Sequence, residues 1–219
     1  MNILYGFINI IVTFSLVVLI EKLFKKEGLY VWLSIATILA NITVCKMIDV
    51  FSFTTSLGNV LFASTFLATD IMSEKYSKED AKKGVYLSIF SGITFIIITQ
   101  LTLLFIPSSD DVVNASMINL FSISIRTISA SMFMFFVSNM VDIHLYNKLK
   151  EKYPNKLWLR NNISTILCNC IENYFFNTLA FIGVFPISVI ISIATTTTII
   201  EIVIAICDTP FLYLSKKIN

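Results

Sequence analysis

The chain has 219 residues, of which 56% are hydrophobic and 14% charged, with a formal net charge of +2 and a mean hydropathy of +0.82. A soluble domain carries about 25% charged residues, so this composition excludes a water-soluble globule and gives no ground for nucleic-acid binding. Apolar runs of about 20 residues without alternation also exclude a β-barrel.

The first predicted helix, 3–22, lacks a basic leader and an A-x-A cleavage site, so it is a retained span and not a signal peptide. The gap behind it, 21–28, holds Lys22, Lys25 and Lys26. The second helix, 29–49, carries Asn41 and Lys46. The third, 57–73, ends on Thr69-Asp70, and the gap 73–83 holds Lys75, Lys78, Lys82 and Lys83. The fourth helix, 84–106, leads to a solvated loop that opens on Pro107 and carries Asp110 and Asp111. The fifth, 117–141, carries Arg126. The gap 142–160 holds Lys148, Lys150, Lys152, Lys156 and Arg160; it extends the helix to Pro154 and offers Trp158 as an interfacial anchor. The sixth helix spans 162–183 and the seventh 187–214, followed by Lys216 and Lys217. Asp208-Thr209-Pro210 should break the seventh near its end, because proline lacks the N–H and clashes with the previous turn.

Fourteen of the sixteen Lys and Arg residues fall in alternate gaps, and the gaps near 50–56, 107–117 and 183–186 hold none. Cytoplasmic loops collect Lys and Arg. The reading is an all-α integral membrane protein, a bundle of six to seven transmembrane helices, with its N-terminus outside and its C-terminus in the cytoplasm. One transmembrane domain covers 1–219, with an extra N-terminal helix in 1–28 and a six-helix core in 29–216. The core reads as three hairpins, whose returning helices end on Asp70…Tyr76…Lys78, Asp142…Tyr146…Lys148 and Asp208…Tyr213…Lys216. Parallel repeats of this kind are a transporter device.

Charges inside the apolar stretches mark candidate functional sites, because they are expensive in lipid. At about 1.5 Å of rise per residue, Asn41, Arg126, Glu172 and Glu201 come to similar depth near mid-membrane. The sixth helix carries Asn162, Thr165, Asn169, Glu172, Asn173 and Asn177, most of them on one face. Such a stripe serves as interhelical glue or as a site for a ligand with several hydrogen-bonding edges. Arg126 either pairs with Glu172 or Glu201 to orient helices, or joins the same site. Asp70 either pairs with the basic gap or acts as a gate. Ala194-Thr195-Thr196-Thr197-Thr198 permits close packing or bending of the seventh helix. Cys45, Cys168, Cys170 and Cys207 read as inert packing residues. The sequence carries no phosphate-binding loop, no metal-ligand cluster and no Ser–His pairing, so no cofactor and no metal are expected.

Three stretches, FASTFLATDIMSEKYSKEDAKK (62–83), RTISASMFMFFVSNMVDIHLYNKLK (126–150) and WLRNNISTILCNCIENYFFNTLAF (158–181), with CDTPFLYL (207–214), carry a resemblance to the queuosine-precursor, or vitamin uptake, transporter family. The resemblance implies about six helices and import of 7-deazaguanine bases across a bacterial inner membrane. These include the aminomethyl and cyano forms and queuine. The family usually has a Lys some turns before the Asp-Thr-Pro, where this chain has Glu201, which fits a cationic substrate. Glu172 would take the side-by-side N–H and NH2 of such a base in a bidentate pair. Asn41, Asn169 and Asn173 would read its other edges. The expected site is therefore Asn41, Asp70, Arg126, Asn169, Glu172, Asn173 and Glu201. The expected partners are a small nucleobase-like molecule and the lipid bilayer, with a homodimer or energy-coupling ATPases left open. The alternative is the substrate-binding subunit of an energy-coupling-factor importer for a vitamin-like heterocycle. The polar cluster argues against a scaffold, and the absent nucleophile–base pair against an enzyme.

Overall fold

In a computed structural model, described over residues 1–50, 53–122 and 125–218, the chain is an all-α bundle with one short β-hairpin. Its helices are α1 (Asn2–Thr43), α2 (Gly58–Lys75), α3 (Lys78–Leu103), α4 (Asn114–Phe121), α5 (Ile125–Lys152), α6 (Leu157–Phe181) and α7 (Ile187–Lys217). Strands β1 (Met47–Val50) and β2 (Phe53–Ser56) pair antiparallel, with Met47 opposite Ser56.

The first helix is not a rod. A straight helix of 42 residues would be about 63 Å long, yet Asn2 donates to the Asp49 carbonyl at 2.9 Å. The chain reverses at Lys25, which takes φ 54° and ψ −140°. Two antiparallel arms result, 2–24 and 26–43, and they are the first two predicted helices. Gly28 makes the reversal possible, because a Cβ there would lie 2.4 Å from the Ile20 carbonyl oxygen. At the start of α3, Ser77 caps the helix: its Oγ accepts from Asp80 N at 3.0 Å and donates to Asp80 Oδ2 at 2.7 Å.

Four helices, α1, α3, α5 and α7, are long and apolar enough to cross a membrane. The shorter α2 is buried along most of its length, wrapped by α1, α3, α5 and α7. The asparagine-rich α6 packs between α5 and α7. The polar residues of α2 and α6 face the bundle interior, while α6 keeps an exposed apolar face with Ile163, Leu167 and Phe175, and Phe14, Val17, Leu33, Leu67, Ile71 and Phe135 belong to one continuous core.

All four basic segments meet at one end of the bundle. There Lys75 pairs with the buried Glu21 at 2.8 Å, and Tyr76 donates to the same carboxylate at 2.9 Å. Burial, and then that hydrogen bond, hold the Tyr76 phenol above its ordinary range, so it stays a donor. Lys75 also donates to the carbonyls of Ser215 and Ile218. Lys26 pairs with Asp80 at 3.1 Å. The opposite end is built from β1–β2, α4 and the turn after α6, where Gly183 at φ 80° lets the chain reverse.

Three expectations are corrected. The second predicted helix ends at Thr43, and Lys46 lies exposed in the turn before β1, outside the helix. The fifth predicted helix, 117–141, is not continuous: α4 is capped at Ser122, positions 123 and 124 lie outside the described residues, and α5 runs on to Lys152. The seventh helix continues through Pro210. It is held from both sides of the proline: Asn161 and Asn162 donate to Asp208 and Thr209, and Lys75 holds the carbonyls beyond.

The Glu21–Lys75 contact joins α1, α2 and α7. Replacing Glu21 by Gln should destabilise the protein by about 1.5–3 kcal/mol, the worth of charged hydrogen bonds. Replacing the exposed Lys22 by Ala should stay within about 0.5 kcal/mol. Thermal unfolding of the two purified variants in detergent checks the difference.

Candidate functional site

Four helices, α2, α5, α6 and α7, place polar side chains in three successive layers, about one to three turns apart. The uppermost layer lines a cavity of about 630 Å³, within the range of small-molecule sites. Asn59, Phe62 and Phe66 of α2 form one wall, Thr127 and Ser131 of α5 another, and Asn169, Glu172, Asn173 and Asn177 of α6 a third. Glu201, Thr196 and Thr197 of α7 complete it, and Asn41, Met47 and Ser56 stand at the hairpin end.

The polar stripe of α6 therefore faces a cavity. Asn173 donates to Glu201 Oε2 at 2.6 Å, which fixes that carboxylate across the α6–α7 seam. The Ser138 hydroxyl lies within reach of Glu172. Asn177 donates to the Asn173 carbonyl and Asn41 to the Thr37 carbonyl, each at the previous turn of its own helix. Among the described lining residues there are two carboxylates and no Lys, Arg or His. The cavity thus offers acceptors and amides to a ligand rich in N–H groups.

Five of the seven expected site residues meet here: Asn41, Asn169, Glu172, Asn173 and Glu201. Two do not. Arg126 is exposed in the first turn of α5, where Nε and Nη2 donate to the carbonyls of Leu179 and Ile182, both at 2.8 Å. It satisfies the orphan carbonyls at the end of α6, a favourable place for a cation. The expected mid-depth position fails because the helix breaks after α4 and its lower part is longer. Asn41 also sits higher than expected, in the last turn of α1.

Asp70 lies one turn below Phe66, in the middle layer, fully buried with Asp142 of α5 and Asp208 of α7. It does not pair with the basic segments. Glu74, one turn further, does so in the lowest layer. Its side chain is 5% exposed and meets Arg160 Nη2 at 2.8 and 2.7 Å, Lys216 at 2.8 Å and Lys150 at 3.6 Å. Tyr146 adds a hydrogen bond at 3.1 Å. One carboxylate thus gathers α5, α6 and α7 around α2. Sequence reasoning missed Glu74 as the hub, although its place beside Lys75 in a basic gap was the available signal.

A polar cavity enclosed by membrane helices and sealed at one end by ion pairs defines a membrane protein that handles a small polar molecule. The family described as "Putative vitamin uptake transporter" matches residues 56–215. A protein of Bacillus subtilis (strain 168) named "Probable queuosine precursor transporter" is 34% identical over 209 residues, covering 94% of this chain and 91% of that protein. The chain belongs to this vitamin uptake transporter family. No solved structure matches it.

The cavity reaches the hairpin end and is closed toward the basic end. With the four native cysteines replaced by serine, Thr197→Cys should be alkylated by a small hydrophilic maleimide. Ser164→Cys, in the buried middle layer, should resist. Equal labelling of both positions would contradict this layering.

Proposed function

We propose that this chain is a transporter that imports queuosine precursors, the cargo that the name of its Bacillus relative carries, in the form of 7-deazaguanine bases. The single observation behind this reading is the cavity chemistry: two carboxylates and four α6 and α1 amides, with no basic side chain among the described lining residues. A 7-deazaguanine presents an N–H and an NH2 side by side, which Glu172 accepts as a bidentate pair away from water. Asn169 and Asn173 read the carbonyl and ring edges. Glu201, held by Asn173, adds a second negative charge. That favours the aminomethyl base, a cation, over the neutral nitrile. Arg126, at the end of α6, takes no part in substrate contact.

The orientation we favour puts the basic end in the cytoplasm, the N-terminus outside and the C-terminus inside. The cavity then faces outward and the Glu74 cluster is the closed inner gate. A cysteine at Asp111 should label from outside only; labelling confined to the cytoplasmic face would reverse the assignment.

The test of function is restoration of tRNA queuosine in cells unable to make its precursors, with each base supplied in turn. Glu172→Gln should cut uptake roughly 10- to 150-fold, the equivalent of a charged hydrogen-bond pair worth about 1.5–3 kcal/mol. Insertion should stay normal. Glu201→Lys should weaken uptake of the aminomethyl base more than that of the nitrile. An unchanged ratio between the two would remove Glu201 from substrate selection.

A further inference from the structure

Beneath the cavity lies a polar cluster that the substrate reading leaves unused. Asp70, Asp142 and Asp208 come from the three helices α2, α5 and α7, and all three are fully buried. The carboxyls of Asp70 and Asp142 lie within hydrogen-bonding reach of each other, and Asp208 is close enough to act on both. Asp208 Oδ1 accepts from Asn161 at 2.6 Å. Its other oxygen, and both oxygens of Asp70 and Asp142, close no hydrogen bond of good geometry. The hydroxyls of Ser164 and Thr165 face Asp142, and Thr165 Oγ1, fully buried, closes no hydrogen bond of good geometry.

The surroundings supply no counter-charge. On α2 and α5 the neighbours are Glu74 and Tyr146, and on α6 they are Asn161, Ser164, Thr165 and Cys168. Cys207 adjoins Asp208 on α7. Of the two α1 carboxylates at this end, Glu21 pairs with Lys75, and Glu27 lies with it near Tyr76. The buried face of α3 consists of Ala81, Gly84, Val85, Ser88 and Gly92, none of them titratable. Arg160, Lys150 and Lys216 are all turned to Glu74. Among the described residues no Lys, Arg or His pairs with any of the three aspartates. Three carboxylates in one fully buried site without a cation cannot all be ionised. The site therefore requires a positive ligand. Among the described residues no group of three His, Cys, Asp or Glu side chains is placed to hold a metal ion, and a proton is the smallest positive ligand that would neutralise the cluster.

We propose that Asp70, Asp142 and Asp208 form a proton-binding site that couples substrate uptake to an inward proton gradient; the coupling rests on the transport reading above. Its position suits the task. On α5, Asp142 is one turn from Ser138, which faces Glu172 in the cavity, and one turn from Tyr146, which holds Glu74 in the gate. A proton arriving through the cavity neutralises the cluster and lets α2, α5 and α7 pack together. Its loss leaves like charges that push these helices apart just above the gate.

Two measurements on the full chain test this. First, infrared spectra of the purified protein in lipid nanodiscs, with and without carboxyl-labelled aspartate, read protonated Asp directly and need no substrate. The other aspartates, Asp49, Asp80, Asp110 and Asp111, are outside the buried cluster, so an aspartic-acid carbonyl band persisting at neutral pH belongs to it. Absence of that band overturns the proposal. Second, proteoliposomes with the membrane potential clamped are given tritiated 7-aminomethyl-7-deazaguanine. One pH unit, alkaline inside, should drive accumulation up to roughly tenfold for one proton per substrate. Asp142→Asn should keep counterflow within about twofold and lose accumulation. Asp208→Asn, which keeps an acceptor for Asn161, is the second variant should the first fail to fold. Accumulation by these variants equal to the parent, or accumulation that follows sodium and ignores pH, overturns coupling. Failure of counterflow in the parent chain would instead reject the substrate reading, and the infrared band would still decide the proton site.

Discussion

A carboxylate removed from water must find a partner, and most of this architecture follows from where each one finds it. Glu74 takes three cations and a phenol from three helices, and Glu21 takes Lys75 and Tyr76 from the end of α2 and Ser215 from α7. Buried ion pairs give little net stability against apolar packing, because desolvation offsets most of the attraction. What they fix is register. With α2 pinned at Glu74 and Lys75, its Asp70, Phe66 and Asn59 can only stand at successive heights on the same stripe, four and then seven residues apart. The other three helices repeat the scheme: Lys150, Asp142 and Ser131 on α5; Arg160, Thr165 and Asn173 on α6; Lys216, Asp208 and Glu201 on α7.

The division of labour between helices has the same origin. Lipid accepts no unpaired polar group, so the polar stripes of α2 and α6, which carry the site, turn inward. The apolar faces of α1, α3 and α7 face outward with their Ile, Leu and Phe side chains exposed. The first arm of α1 belongs to this shield: Phe14 meets Phe211 of α7 edge to face at 5.5 Å.

Much of this was legible in the sequence. The alternation of basic gaps gave the spans, and the four-residue spacing of Asn169, Asn173 and Asn177 gave the cavity face, because both signals depend only on period and composition. The aspartates at the ends of three returning helices were visible as a recurring motif, but not as neighbours, since convergence is a property of packing. Arg126 was misplaced because a helix break after α4 is invisible in an apolar run. Its charge is satisfied by carbonyls, which leave no mark in the side-chain pattern. The proline at 210 misled for a related reason: local propensity was overridden by asparagines and a lysine far away in the chain.

The dependence of α2 on partners made much later has a consequence for biosynthesis. When α2 leaves the ribosome, the residues that will satisfy Glu74 lie roughly seventy to a hundred and forty positions downstream, on α5, α6 and α7. Until then its polar stripe cannot rest against lipid. The nascent chain must wait at the insertion machinery, or lean on α1 with its stripe toward water, until the last helix arrives. A ribosome that stops short of Asp208 releases a chain whose first half is complete in sequence and unfinished in structure, a ready target for membrane quality control.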